Sequence, residues 1–305
     1  MTLTNKFNLP KALVNAINND PYGGDFEPGD GFSVTKLIAP PYQRMLMGKH
    51  KDEITEDAID RLWAFYGQTV HDVAHRGCSK ADGDLAEVRL FGECAGYKLH
   101  GKFDLLEKGN ADLPDNTFES LIDFKFTSVY SAKDAMANGK PEWTAQINML
   151  HWLARYNGKT VRTGKIVVLC KDWRPSEAKR DPDYPPRVVQ IPVKIWTQEE
   201  QARYIIERCK LHSMSEPPVC TLEERWYRPG KVAVMKAGRK SALRLLDSVD
   251  EADKWCMTNG YHMNVGGISL VVRPGAYPRC SDYCSASEFC PEWATRKQEL
   301  ESDDE

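Results

Sequence analysis

The spacing of apolar residues changes along the chain, and this change constrains the fold more than any other feature. From Glu56 to Arg76 the residues Ile59, Leu62, Trp63, Tyr66, Val70 and Val73 recur three and four positions apart, which predicts a helix with one buried face that stops at Gly77. From Leu85 to Leu106 the period falls to two. Glu87-Val88-Arg89-Leu90-Phe91, a turn over Gly92 to Gly96 and a second run from Tyr97 predict a hairpin. A loop with Gly109, Pro114, Asp115 and Asn116 leads to a third strand, Leu121 to Phe126. A helix over Glu142 to Tyr156, strands over Lys165 to Cys170 and Arg187 to Val193, and a helix over Gln198 to His212 complete the pattern. That order predicts an α/β domain, a mixed sheet flanked by helices.

With 305 residues, 41% of them apolar, the chain can bury one large domain or a domain plus a smaller module. A net charge of -3 excludes a polycation, so any nucleic-acid surface must be local. No apolar run approaches the roughly 20 residues of a membrane span, and Met1 to Pro10 lacks the layout of an export signal, so no membrane partner and a cytoplasmic location are expected. Composition divides the chain into an amino-terminal arm (1–30, a short helix and then a turn-rich loop), a core (31–215), a cysteine module beyond Pro217-Pro218 (216–295, with a helix from Ser248 to Asn259) and an acidic tail (296–305).

Side chains two apart on a strand share a face, so Asp123 and Lys125 project together while Ile122, Phe124 and Phe126 point into a core. Asp104 closes the preceding strand and Glu87 opens the one before it, so strand pairing could gather three carboxylates. Such a cluster repels itself unless a cation intervenes. Hard oxygen donors suit Mg2+ or Mn2+. His71 follows Gly67 by four residues on one helix, and glycine there would let the helix approach the sheet closely. His71 and His75 also have the i, i+4 spacing of a helical zinc site, but Asp72 stands where a glutamate base would be needed and no third ligand follows.

Gly67-x3-His71, Glu87, Gly101-x2-Asp104, Asp123-x-Lys125 and Gln146 resemble, in order and interval, the RecB-type PD-(D/E)xK nucleases. The resemblance covers about residues 33 to 156 and begins with Ser33-Val34-Thr35 and Pro40-Pro41. It implies a restriction-endonuclease-like fold and metal-dependent hydrolysis of DNA. His71, Asp104 and Asp123 would hold the metal with the Phe124 carbonyl, and Lys125 would orient or activate the attacking water and stabilise charge on the phosphate. Glu87 matches an acidic residue on the family's first core strand. Gln146 opens the family's DNA-contacting Gln-x3-Tyr motif, from which Leu150 departs. The chain carries no Gly-x4-Gly-Lys-Ser/Thr motif, so a nuclease of this kind must act on single strands or free ends, or borrow a helicase or recombination partner. The implied function is an exonuclease of replication, recombination or repair. A phage or prophage enzyme in the host cytoplasm fits, with a CRISPR spacer-processing nuclease or a catalytically silent DNA-binding protein as alternatives.

Nine cysteines, an odd number without an export signal, point to thiols or metal ligands rather than disulfides. Cys78, Cys94, Cys170, Cys209 and Cys256 lie in apolar or helical stretches, as small hydrophobes do. Cys220, Cys280, Cys284 and Cys290 are four potential thiolate ligands, for zinc or for an iron-sulfur cluster; spacing alone does not separate the two. The iron-sulfur members of the same nuclease group, AddB-like subunits and CRISPR-adaptation nucleases, carry one distant cysteine and a compact trio ending in Cys-Pro, which favours a [4Fe-4S] cluster. Here the distant cysteine follows the nuclease core rather than preceding it, and the first gap in the trio is x3. Between Arg228 and Arg244 no acid interrupts a basic run that includes Lys231, Lys236, Arg239 and Lys240, preceded by Trp226 and Tyr227, which is a candidate DNA-guiding surface.

Overall fold

The computed structural model describes residues 2–18, 31–78, 83–109, 113–262 and 265–303. Its chain divides into two compact units, Met1–Arg44 with Thr55–Pro217, and Met45–Ile54 with Pro218–Glu305. Strands β1 to β13 are Thr2–Thr4, Phe32–Ser33, Thr55–Asp57, Leu85–Ala86, Arg89–Cys94, Tyr97–Lys102, Leu105–Glu107, Thr117–Thr127, Thr160–Cys170, Val188–Val193, Lys231–Lys236, Arg244–Leu246 and Ile268–Arg273. Helices α1 to α10 are Lys11–Asn18, Val34–Ile38, Pro41–Lys49, Leu62–Arg76, Val129–Asn138, Pro141–Tyr156, Pro175–Arg180, Gln198–Ser213, Val249–Thr258 and Pro291–Asp303. The protein is therefore a mixed α/β structure. Among the described residues no helix is long and apolar enough to cross a membrane.

In the first unit β8 is central to a five-stranded sheet of order β10-β9-β8-β7-β4. It runs parallel to β9, with Asp123 beside Ile166 and Lys125 beside Val168, and antiparallel to β7, with Ile122 beside Leu105. A second sheet has the order β2-β6-β5. The hairpin expected over 85 to 106 is thus shared between two sheets, β4 and β7 in one, β5 and β6 in the other. Both arms bend at the same level. There Glu87 N–H donates to the Asp104 carbonyl at 3.1 Å and Phe103 N–H to that of Val88 at 3.3 Å. Glu87 takes the left-handed conformation, φ +57°, which a side-chain-bearing residue adopts at a cost and which is concentrated at functional sites.

α6 opens with Pro141, whose missing N–H is harmless in a first turn, and buries Ile147, Met149, Leu150, Leu153 and Ala154 against β5, β6, β8, β9, α2 and α8. Glycines admit it. A Cβ at Gly101 would lie 2.7 Å from Leu150 Cδ2 and 2.8 Å from Val34 Cγ2, and one at Gly164 would lie 2.6 Å from Ile147 Cγ2. Buried Asn148 ties the helix to the segment after β10. It donates to the Thr144 and Lys194 carbonyls and accepts from Trp196 N–H and Gln201 Nε2.

Several expectations need correction. α4 has no buried residue, and Trp63, Tyr66 and Val73 are 58%, 42% and 57% exposed, because this helix packs chiefly on α1, the turn Ala58–Arg61 and β8. Periodicity reports an amphipathic face, not what covers it. Gly67 has nothing within 4 Å of a Cβ built on it, so the close approach expected there belongs to Gly101 instead. Residues 2–18 of the expected arm are part of the first unit, since β1 pairs with β3 and both Thr4 Oγ1 and Lys6 N–H donate to buried Asp57, at 2.6 and 2.8 Å. The rest of that arm, 19–30, lies outside the described residues. The expected tail is helical as far as Asp303 in α10, and α5 was not anticipated.

The second unit holds an antiparallel sheet, β12-β11-β13, whose valines Val232 and Val234 pack with Ile268 and with Ala252 and Cys256 of α9. Cys94, Cys170 and Cys209 are buried in the core of the first unit, as small hydrophobes are.

Candidate metal centre

Three elements deliver the centre in the first unit. β8 supplies Asp123, 1% exposed, and Lys125, with 24% of its side chain exposed, on one face. The bend in the long hairpin supplies Glu87 and Asp104. α4 supplies His71. His71 Nδ1 lies 3.1 Å from Asp104 Oδ1 and 3.8 Å from Glu87 Oε1. Among the described residues one set of at least three potential metal-ligand side chains has donor atoms all within 4.8 Å of one another: His71, Glu87 and Asp104.

Asp123 is outside that set. Its Oδ1 accepts from Gln146 Nε2 at 2.7 Å, and its Oδ2 lies 2.8 Å from Lys125 Nζ. Gln146 Oε1 in turn accepts from Lys125 Nζ at 2.9 Å. Gln146, expected on a DNA-contacting helix motif, bridges the two strand residues, with Leu150 in the core. Asp104 Oδ2 accepts from the Phe124 N–H at 2.7 Å. Since the N–H and C=O of a strand residue leave on the same side, the Phe124 carbonyl also faces the Asp104 side of β8.

The electrostatics follow from crowding. Burial disfavours charge on His71, but its contacts with Asp104 and Glu87, reinforced by Asp123, push its pKa up to about 10. Burial also opposes charge on Glu87, yet His71 and Lys102 outweigh it and hold this carboxyl below the usual range. For Asp123 burial wins: with repulsion from Asp104 it raises the pKa against the pull of Lys125. Among the described residues two oxygens, Glu87 Oε2 and Asp123 Oδ2, are buried without a hydrogen bond, although the ammonium groups of Lys102 and Lys125 stand beside them in ion-pair contact. Lys102 was missed by sequence reasoning; its pairing opposite Arg89, two residues from Glu87, was the available signal. His75 is exposed and outside the ligand set, so the helical zinc alternative gains nothing.

In the second unit the turn after Cys220 is tied to the segment carrying the cysteine trio. Arg279 Nη1 donates to the Glu224 carbonyl at 2.7 Å, Arg225 pairs with Glu292 at 3.1 Å, and the Arg279 guanidinium lies 4.1 Å from the centre of the Trp226 ring. Burial, aided by Cys284 and Cys290, pushes the Cys280 thiol up to about 11. These thiols feel one another, yet no three of Cys220, Cys280, Cys284 and Cys290 fall within the 4.8 Å that joins the histidine–carboxylate set. In the basic run Lys236, Arg239 and Lys240 are exposed. Lys231, expected with them, is instead paired with Asp247.

No family model and no curated protein matches the chain. Among solved structures the chain is similar to one described as the crystal structure of SSO0001, at 14% identity over 65% of this chain and 84% of that one, with a TM-score of 0.44. A likeness of that size carries no argument.

Proposed function

We propose that the first unit is a divalent-metal-dependent DNA nuclease of the PD-(D/E)xK type on a restriction-endonuclease-like fold. The observation that carries this is the convergence of His71, Glu87 and Asp104 in a unit where Asp123, Lys125 and Gln146 form one hydrogen-bonded network. A cation fits the donor set, because His71, Glu87 and Asp104 bring their ligand atoms within 4.8 Å of one another and clustered carboxylates repel unless a cation stands between them. His71, Glu87 and Asp104 would hold it, with Asp123 and the Phe124 carbonyl as the further donors that the family resemblance implies. Oxygen-rich donors with one imidazole suit Mg2+ or Mn2+, which when bound polarises a phosphoryl oxygen and acidifies water.

The protein's own groups do the positioning. Gln146 donates to the carboxylate and accepts from the ammonium, so one amide sets both side chains. Lys125 then presents positive charge where negative charge develops on the phosphate, and a donor fixed in advance needs no reorganisation during the reaction. The Phe124 N–H fixes Asp104 in the same way.

The substrate we propose is DNA with single-stranded or free ends, in replication, recombination or repair. End-labelled linear and circular DNA, single- and double-stranded, incubated with Mg2+ or Mn2+ tests this. Cleavage confined to linear DNA identifies an exonuclease, and Lys125→Ala should slow it about 100- to 1,000-fold. Full activity in Asp123→Ala, or cleavage undiminished by chelator, contradicts the assignment. Binding without cleavage under either metal identifies a silent DNA-binding protein.

For the second unit we propose a [4Fe-4S] cluster on Cys220, Cys280, Cys284 and Cys290. Tetrahedral zinc, with Zn–S near 2.3 Å, draws its sulfurs to about 3.8 Å from one another, whereas a cubane takes each thiolate on a separate iron and spaces them more widely. Soft thiolate donors and the resemblance of the compact trio ending in Cys290-Pro291 to the iron-sulfur members of this nuclease group favour the cluster. Anaerobically purified protein should be brown and contain iron and sulfide; stoichiometric zinc without iron contradicts the cluster.

A further inference from the structure

We propose that Trp63, Tyr66 and Lys171 form a base-stacking subsite for an unpaired nucleotide on the strand whose phosphate is cut in the neighbouring centre. The position of the cut phosphate rests on the nuclease reading above; the stacking itself does not. Trp63 and Tyr66 are 58% and 42% exposed on α4, with ring centroids 5.7 Å apart in an edge arrangement. Lys171 Nζ lies 3.3 Å from the centre of the Trp63 ring. Large aromatic rings left in water on a helix without a buried residue contribute little to the core. A cation held against an indole next to a second ring combines the two chemistries that bind single-stranded nucleic acid, π-stacking of bases and attraction of phosphate.

The subsite is joined to the centre by two routes. Trp63 precedes His71 by eight residues on α4, about 12 Å at 1.5 Å per residue. Lys171 follows β9, and its N–H donates to the Thr127 carbonyl at 2.8 Å, two residues beyond Lys125 on β8. Tyr66 and Trp63 therefore lie about two and about three to four nucleotides along from His71 at the ~3.4 Å rise of a stacked strand, and fewer on an extended one. A blunt duplex keeps its bases paired and inside the stack, so the subsite selects an unpaired end.

Binding of a labelled oligothymidylate and of a blunt duplex, followed by fluorescence anisotropy in EDTA, tests this without cleavage. Trp63→Ala should weaken oligothymidylate binding roughly 5- to 150-fold and duplex binding far less, while Trp63→Phe retains most of the affinity. A single abasic position moved along the strand should weaken wild-type binding most at one place, and Trp63→Ala should be insensitive there. Wild-type affinity of Trp63→Ala for oligothymidylate overturns the proposal, as does an abasic scan identical in the two proteins. A Trp63-dependent change in the protein's own mass in solution with unchanged DNA binding also overturns it, in favour of protein docking. Trp63-dependent binding without any cleavage in Mg2+ or Mn2+ would remove the nuclease reading and leave the subsite, whereas cleavage with unchanged binding by Trp63→Ala would do the reverse.

Discussion

Gln146 joins Asp123 to Lys125 because a primary amide offers a donor and an acceptor without adding charge. Gln146→Leu should therefore slow cleavage about 10- to 100-fold, as loss of a supporting hydrogen bond does, and cost about 1–3 kcal/mol of stability by leaving a buried Asp123 oxygen without its donor. Gln146→Glu should be worse, since it turns a donor into a second carboxylate facing Asp123. Rates and melting curves of both variants check this, and a wild-type rate in either contradicts the bridging role. Much of this centre was legible in the sequence: the strand period puts Asp123 and Lys125 on one face, and His71 and Asp104 fall at matching intervals. Strand pairing anticipates Glu87 near Asp104 as well; that Asp123 stands outside their set with His71 was not legible. It depends on a bend shared by both hairpin arms and on the left-handed backbone at Glu87, which no local pattern encodes. The partnership of Gln146 was hidden for a similar reason, being a helix-to-sheet contact between residues 21 and 23 positions apart.

Helix docking decides how two glycines behave. Gly101→Ala drives a methyl group into Leu150 and Val34 and should cost about 1–3 kcal/mol. Gly67→Ala meets nothing within 4 Å inside α4 and should stabilise by about 0.5–1 kcal/mol. Urea unfolding of the two variants gives opposite signs; the same sign in both contradicts the packing described. α8 docks on α2 by another means, with Arg208 donating to the Leu37 and Ala39 carbonyls and His212 Nε2 3.1 Å from the Ala39 carbonyl. Burial, with Arg208 adding repulsion, lowers the His212 pKa from 6.5 to about 4. Between those two values the unfolded chain binds a proton that the folded ring refuses, so this stability is complete above pH 6.5 and is lost as pH falls towards 4. At pH 5 the loss should be about 1 kcal/mol once the ring's contact with water is discounted. Comparison of the unfolding midpoint at pH 7 and pH 5 with that of His212→Gln isolates it, and an equally steep fall in the variant contradicts the assignment. Strand and helix order was legible because period alone distinguishes them. The exposure of α4 was not, since covering a face is a property of its neighbours.

At the scale of the molecule, the chain divides at Pro217, where paired prolines and a change in composition stand, but the second unit also takes Met45–Ile54, a segment with no compositional mark. On the proposed function each unit would carry its own metal chemistry, oxygen-rich and hard in the first, thiolate and soft in the second. The proposed nuclease requires a single divalent ion shared by His71, Glu87 and Asp104. A Mn2+ titration of the wild-type protein and of Asp104→Asn, followed by electron paramagnetic resonance, tests it most directly. One tight site is expected in the wild type, weakened about 100-fold in the variant; superimposable titrations, or no tight Mn2+ site in the wild type, would overturn the shared ion.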